Sequence, residues 1–461
     1  MDTQVIVVGA GPVGLLLAGE LRLGGADVVV VERLSEPTGQ SRASQLNGRT
    51  MEVFDQRGLL KWLGPTECVG VGHFGGIPLD VSGIPSHHAG FWKVPQFRTE
   101  AMLQEWAVGL GAQLCRGHEL YGLAEQGDHV RAELVGPHGT VELRASFVVG
   151  CDGEQSTVRR LAGFDFPGSD AARELLRADV SGIDVPNRRF ERHEHGLAIA
   201  ARRPDGVTRV MVHEFGRPAV HRGSPLTFEE VVTAWARVTG ENIAGGRPEW
   251  VDAFGDASRH VTAYRRGRVL LAGDAAHLQM PAGGQALNLG LQDAANLGWK
   301  LAATALGWAP EGLLDSYHDE RHPVGASVLA NVRAQTLLLL GGPEVNDVRA
   351  ILAEIIRLDA AGQHVAETVS GLDVRYRHEP AAPALVGTRL PHTKLVLRCG
   401  AGTDTTTLLY RARGVLLDLA GDGAGSDGLG ATAAGWADRV DHVSVQAHPD
   451  GALNGLDVVL V

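Results

Sequence analysis

Apolar and polar positions divide the chain into segments of different period. Gln4 to Val8 is a short apolar run, followed by a glycine-spaced turn from Gly9 to Gly14, an apolar-rich helical stretch to about Leu23, and a second run, Val28 to Val31. Two strand-length runs flanking one helix predict a βαβ unit. A different pattern begins near residue 165, where Gly196 to Arg202 and Val207 to Phe215 are joined by Arg203, Pro204, Asp205 and Gly206. That turn chemistry predicts an antiparallel hairpin in a separate sheet. A helix follows, opened by Thr227 and Glu230 in capping-box spacing and closed at Gly240. From Arg268 the chain returns to a buried strand, Val269 to Ala272, then a loop rich in Gly and Pro, then a long helix from about Ala286 to Leu306. This reads as the first domain resuming. Beyond Leu372 come a linker with Pro380, Pro383 and Pro391, three strand-like apolar runs and a glycine-rich loop from Gly421 to Gly435, which predict a small C-terminal α/β domain.

Length agrees with several domains, because 461 residues exceed what one hydrophobic core usually organises. The apolar share of 44% and the charged share of 21% are those of a folded protein, and the net charge of -12 argues against nucleic acid or an anionic membrane surface as partner. Cys68, Cys115, Cys151 and Cys399 form no CxxC pair, so they are read as buried thiols rather than a disulfide scaffold or a zinc site. Asp2 and three glycines make the N-terminal apolar stretch a poor targeting segment. The run Leu337 to Leu340 is too short to span a bilayer, which takes about 20 residues. A cytoplasmic protein, monomer or homodimer, is the expectation.

Gly9, Gly11 and Gly14 give GxGxxG between a strand and a helix, with Pro12 and Val13 inside it and Glu32, followed by Arg33, at the end of the next strand. In this setting the glycines admit a pyrophosphate to the backbone, the helix N-terminus supplies N–H groups, and Glu32 accepts bonds from an adenosine ribose. A carboxylate there disfavours a 2′-phosphate, leaving FAD or NAD. Two further stretches point to flavin: VVGCDGEQSTVRR, with Asp152, Gly153 and Arg159, and LLAGDAAHLQMPAGGQALNLGLQDAANLGWK, with Gly273 and Asp274. Asp274 ends a strand where α/β sheets bind ligands and suits the hydroxyls of a sugar alcohol. The loop of Pro281, Gly283 and Gly284 lets backbone approach a flat ring. The helix opened by Gln285, Ala286, Leu287 and Asn288 aims its positive end at that ring's anionic edge.

These segments, with SRASQLNGRTMEVFDQRG, AYRRGRVLLAGDAAH and LLDSYHDERHPVG, resemble the FAD-dependent aromatic hydroxylases typified by para-hydroxybenzoate hydroxylase, and among them the angucycline-type polyketide hydroxylases. The resemblance covers nearly the whole chain. It implies an α/β protein with a Rossmann-like FAD-binding domain, an inserted mixed or antiparallel sheet domain for substrate, and a C-terminal thioredoxin-like domain without its redox motif. The implied boundaries are 1–72, 98–172 and 257–372 for the FAD-binding domain, 73–97 and 173–256 for the substrate domain, and 373–461 for the last. It further implies that Arg42 and Gln96 lie near the FAD pyrophosphate or ribityl chain, and that Asp152, Gly153 and Arg159 serve FAD and nicotinamide together. Where many relatives have Gly-Gly-Gln-Gly, this chain has Ala286 as the fourth residue, and Leu289 replaces a small polar one.

The implied reaction is hydroxylation of a polycyclic aromatic substrate: NADPH or NADH reduces FAD, and oxygen is transferred through a flavin C4a-hydroperoxide. Asp274 and Pro281 are assigned to positioning, with no acid or base named. Baeyer-Villiger or combined oxygenase-reductase chemistry remains open, as does a flavin-binding accessory role without oxygen chemistry; a flavin-free NAD dehydrogenase is the weakest reading. His193 and His195 alternate with Glu191 and Glu194 but lack a third ligand, so no metal is expected. His277 is read as a packing and hydrogen-bonding residue. His73 to Lys93 and the hairpin Gly196 to Phe215 are the candidates for substrate contact.

Overall fold

Residues of the first glycine-spaced unit pair as their pattern predicts. In a computed structural model, which describes residues 2–39, 43–220, 224–376, 383, 385–420, 426–446 and 449–461, strand Thr3–Val8 is followed by helix Pro12–Leu23 and strand Val28–Glu32. Arg42, Pro380 and the start of the glycine-rich stretch at 421 lie outside the described residues. The first strand is parallel to Val28–Glu32 on one side and to the inner half of Gly139–Gly150 on the other, and Gly139–Gly150 is parallel in turn to Val269–Leu271. Val5, Ile6, Val7 and Val28 to Val31 are buried on both faces, as the runs without alternation require. Helix Pro12–Leu23 covers one face, flanked by helices Gln96–Gly109 and Gln285–Ala305.

The second layer is a five-stranded antiparallel sheet in the spatial order Arg188–Arg192, Gly196–Arg202, Thr208–Glu214, Glu174–Ser181, Arg247–Gly255. The expected hairpin is present, with Gly196 opposite Glu214 and Arg202 opposite Thr208. Its two faces differ. Leu176, Ala178, Val210 and Val212 pack under helix Phe228–Thr239, which has the expected Thr227–Glu230 capping box. Leu175, Leu197, Ile199, Met211 and Phe254 pack instead against Met280, Ala282, Val332 and Leu339 of the first domain. An apolar seam therefore separates sheet and flavin-type loop.

Segment 71–80 forms a hairpin of its own that packs on helices Asn346–Ile356 and Asp359–Ser370. The C-terminal thioredoxin-like unit has a parallel pair, Gly414–Asp418 with Val440–Ser444, and an antiparallel edge, Val458–Leu460. Part of the expected glycine-rich loop is helical, Ser426–Ala434, because its alanines favour helix and Ala433 finds burial in the unit.

Two further expectations change. Cys68 and Cys399 are exposed, while Cys115 and Cys151 are half-buried; Cys68 lies on a short two-stranded edge, its thiol donating to the Ala89 carbonyl at 3.3 Å. His193 and His195 do not alternate along a strand, since Arg188–Arg192 ends before them and both sit in the turn leading to Gly196. Helix Ser316–Leu340 has the length and apolar content of a membrane span although its longest uninterrupted apolar run is short. Here it packs on helix Gln285–Ala305 and carries a buried Arg321.

Candidate active site

Register brings the predicted motifs to one edge. Gly9 donates to Val31 O at 2.8 Å, Cys151 to Val8 O at 2.8 Å and Ala272 to Gly150 O at 3.0 Å, so the chains leaving these four parallel strands emerge level at their carboxyl ends. Ligands bind at this edge in α/β sheets. Gly9 has φ +107°, and a Cβ on it would lie 2.4 Å from the Cys151 carbonyl oxygen. Around Gly11 a Cβ would meet nothing, and no side chain caps the helix that follows, whose Pro12 occupies the first turn. An uncapped N-terminus beside open space is what a bound phosphate needs.

Glu32 accepts from Ala10 N at 2.8 Å and from Leu34 N at 2.9 Å, which ties the glycine turn to the second strand. A carboxylate has room for further donors beyond these two. Arg33 is exposed beside it. Asp274 stands exposed in an otherwise buried run, in the short helical turn Gly273–Ala275. Val13, Gly273 and Gly290 meet closely: a Cβ on Gly273 would be 3.1 Å from Val13, and one on Gly290 would be 2.8 Å from Val13 and 3.0 Å from Gly273 Cα. The phosphate-type turn, the Asp274 turn and the long helix thus share one volume.

Gly283 and Gly284 have φ +68° and +69°, left-handed values that a side chain would strain, and Gly284 opens helix Gln285–Ala305 without a side-chain cap. The exposed Pro281 begins this loop, and Ala286 and Leu287 are half-buried in the first turn. The side chains of Gln285 and Asn288 face protein. Gln285 donates to Asn331 Oδ1 at 3.0 Å, and Asn288 accepts from Asn47 N at 3.0 Å while donating to Gly284 O at 2.7 Å. These two residues shape the loop through such bonds and leave its backbone to meet a ligand.

Asp152 accepts from Ser156 Oγ at 2.5 Å and Thr157 N at 2.7 Å, capping the next helix, and Gly153 adopts φ +76° at that turn. Burial raises the Asp152 carboxyl above its ordinary value against the pull of those bonds. Arg159 donates to Ala275 O at 3.0 Å and Glu154 O at 2.7 Å and covers the Phe166 ring, linking this segment to the Asp274 turn. Gln96 opens its helix and receives Ala43 N at 3.2 Å, while its amide donates to Glu100 at 2.8 Å.

Sequence reasoning did not single out the support behind the Asp274 turn. Asp293, fully buried, accepts from His277 Nε2 at 2.7 Å, Arg321 Nε at 2.8 Å and Gly273 N at 3.3 Å. Its partners lie in AYRRGRVLLAGDAAH and LLDSYHDERHPVG, which were the available signal. His277 is the packing residue expected. Gln45 is also new, and it meets Lys93, the end of the segment expected to contact substrate: Lys93 donates to Gln45 at 3.2 Å, and Gln45 reaches Gly283 O at 3.5 Å.

Near them, the His73 ring lies 4.1 Å from that of Phe190, and burial, with Arg189 and Lys93 adding repulsion, lowers its pKa to about 4. His73 is therefore expected to stay neutral down to about pH 4, an NMR titration being the check; a midpoint at 6 or above would contradict the burial. Because the folded pKa is depressed, this contribution to stability is complete above the unfolded value of about 6.5 and is lost as pH falls toward 4.

The uncapped Gly11 terminus with its open space, Glu32, Asp274 and the paired left-handed glycines fit FAD. Comparison with known proteins agrees. The FAD binding domain family matches residues 2–332 and the family described as aromatic-ring hydroxylase, C-terminal, matches residues 383–461. The 12-dehydrotetracycline 5-monooxygenase/anhydrotetracycline 6-monooxygenase of Streptomyces rimosus is 41% identical, over 100% of this chain and 94% of its own. The crystal structure of CabE, an aromatic hydroxylase from angucycline biosynthesis, superposes with TM-score 0.95 at 50% identity, over 100% of this chain and 94% of that one. The dialkyldecalin synthase of Streptomyces rugosporus is 38% identical, over 98% of this chain and 96% of its own. The chain belongs to the FAD-binding aromatic-ring hydroxylases and is a flavin-dependent aromatic monooxygenase.

Proposed function

We propose that this protein hydroxylates a polycyclic aromatic polyketide of the angucycline type, using O2 and a nicotinamide, NADPH or NADH, as reductant. The observation that carries the substrate class is the apolar seam of Leu175, Leu197, Ile199, Met211 and Phe254 facing Met280 and Ala282, directly beside Pro281 and the two glycines. A flat apolar substrate held there lies between the sheet and the ring-binding loop, as interdomain pockets commonly hold ligands. On this reading 173–256 and the 73–97 segment serve substrate, and the remaining N-terminal segments serve FAD. A cavity of about 360 Å³ lies elsewhere, bordered by Leu176, Val212 and Ala234 on the helix-covered side of the sheet, and has no part in this reading.

Bound FAD would supply the redox chemistry that activates oxygen. The chain's residues supply position and charge. Gly9 and Gly11 would admit the pyrophosphate, with Gly14 holding the helix close to the strand, Glu32 would take the adenosine ribose and Asp274 the ribityl hydroxyls. The uncapped helix terminus at Gly284 stabilises negative charge at the ring edge without a cationic side chain. Met280, Ala282 and the sheet face would keep water out of the site beside the ring-binding loop.

A second reading has one observation in its favour: the relative from Streptomyces rugosporus has a name, dialkyldecalin synthase, that describes no oxygenation. The test is oxygen and NADPH consumption by the purified yellow protein with and without a tetracyclic angucyclinone, followed by product mass. Substrate-dependent consumption and a product heavier by one oxygen are expected. A yellow protein that converts polyketide without consuming oxygen would replace this reading with the second, and product regiochemistry would separate hydroxylation from ring-expanding oxygen insertion.

A further inference from the structure

Outside the flavin-type edge, three side chains from two segments converge on one point. Asp55 is the last residue of helix Gly48–Asp55, and His87 and His88 lie in the turn that follows Ile84. His87 Nε2 and His88 Nε2 stand 2.9 Å and 2.8 Å from the same oxygen, Asp55 Oδ2. The two rings are 3.9 Å apart and tilted by 45°, so adjacent imidazoles turn toward one carboxylate rather than away from each other. All three ligand atoms lie within 4.8 Å of one another. Across the junction with the C-terminal unit, the His392 ring stacks on His87 at 4.2 Å and 24°.

The geometry points to a binding site for a divalent transition-metal cation of the zinc class, with Asp55, His87 and His88 as ligands and water in the remaining position. Two imidazole nitrogens and one carboxylate oxygen are donors that select zinc, cobalt or nickel over magnesium or calcium. Bond lengths of about 2.0–2.1 Å set tetrahedral ligand separations of roughly 3.3 Å. The present contacts need to open by only a few tenths of an ångström, each ring moving its proton from Nε2 to Nδ1 so that the nitrogen pair faces the ion. Asp55 adds its charge at the negative end of a helix, where an anion alone is disfavoured and a cation is favoured. Asp55 and His87 are partly exposed while His88 is buried, which leaves a path for an ion to enter past His87.

A neighbouring clasp shows what such an ion would do. Glu52, one turn earlier on the same helix, accepts from Ser86 Oγ at 2.7 Å and from Arg389 Nη1 at 2.9 Å, and so already joins the helix, the 84–92 turn and the C-terminal unit. A cation on Asp55, His87 and His88 forms a second clasp on the first two of these segments and fixes the ring on which His392 stacks. The opposite end of that short helix, Asn47, is bonded to Asn288 at the flavin-type loop. Occupancy therefore stiffens the element that supports the loop without touching the reaction.

The test is titration of the untagged, chelator-stripped holoenzyme with Zn2+ by calorimetry and with Co2+ by visible absorption. One equivalent of each ion per chain is expected, with cobalt bands to the red of the flavin absorption and a rise in melting temperature. Loss of outer partners already weakens metal sites by about 10–100-fold, so removing a direct ligand in His88→Gln or Asp55→Asn should weaken Zn2+ binding by about 100-fold or more. His193→Ala should leave it unchanged. Failure of the wild-type protein to bind one equivalent, or binding by both variants as tight as that of the wild type, would overturn the assignment. Should a variant not fold, the wild-type cobalt spectrum decides, since it requires no substitution.

Discussion

Asp293→Ala is expected to lower the stability of this protein by about 3–5 kcal/mol, the range found when one partner of a buried ion pair is removed. Asp293 is 0% exposed and Arg321 1%, so truncation leaves a guanidinium inside the protein with, among the described residues, only the Leu289 carbonyl at 3.3 Å and the Tyr376 hydroxyl at 3.4 Å to solvate it. It also removes the acceptor for His277 and for the Gly273 amide, the two bonds that hold the Asp274 turn from behind. Urea unfolding should show the loss as a shifted midpoint at constant slope, with weaker flavin retention alongside. Arg321→Leu added to Asp293→Leu should restore much of the stability, because the uncompensated charge goes with its partner. Burial pushes the Asp293 carboxyl up, but Arg321 and His277 outweigh it and hold the group below its ordinary value. The pair's contribution is thus present above the unfolded carboxyl pKa of about 3.9 and disappears as pH falls below it, and the variant should lack that acid limb. A loss under about 1 kcal/mol would mean that the network does not bear on folding.

That network marks the limit of what the sequence shows. The strand, turn and helix at residues 3–23 were legible because glycine spacing and apolar runs act over a few neighbours, and the capping box at Thr227 and Glu230 is equally local. Asp274 could be singled out for the same reason, standing just after a buried strand with a glycine before it. Asp293 lies in the same quoted stretch, yet its meaning depends on Arg321, 28 residues on, and on His277, 16 residues back. No local pattern connects them. Gln285 and Asn288 show the converse, for a motif gave them to the cofactor while partners at Asn331 and Asn47 occupy their side chains. Histidine spacing drew attention to His193 and His195, which share only a turn; His87 and His88, adjacent and so on no common strand face, meet Asp55 from more than 30 residues away.

Gly11→Ala separates binding from folding at the phosphate-type turn. Gly11 has φ -74°, open to any residue, and a Cβ there would touch no protein atom. Exchanging glycine for alanine at this helix-capping position should cost the flavin-free protein about 1 kcal/mol or less. Its FAD affinity should fall at least tenfold, equivalent to about 1.4 kcal/mol, since the methyl enters the space through which a pyrophosphate reaches the first helical amides. Gly14→Ala acts differently: its Cβ would lie 2.0 Å from Gly9 O and 3.2 Å from Cys151 Cβ, so strand and helix must part and stability must fall along with flavin. Gly9→Ala combines a collision at 2.4 Å with a left-handed backbone. Fluorescence titration of flavin-depleted protein, run beside thermal unfolding of the same samples, distinguishes the three. Unchanged FAD affinity in Gly11→Ala would place the pyrophosphate away from this helix, and the assignments of Glu32 and Asp274 to the two ends of FAD would then fail with it, because both depend on a phosphate lying between them at Gly11.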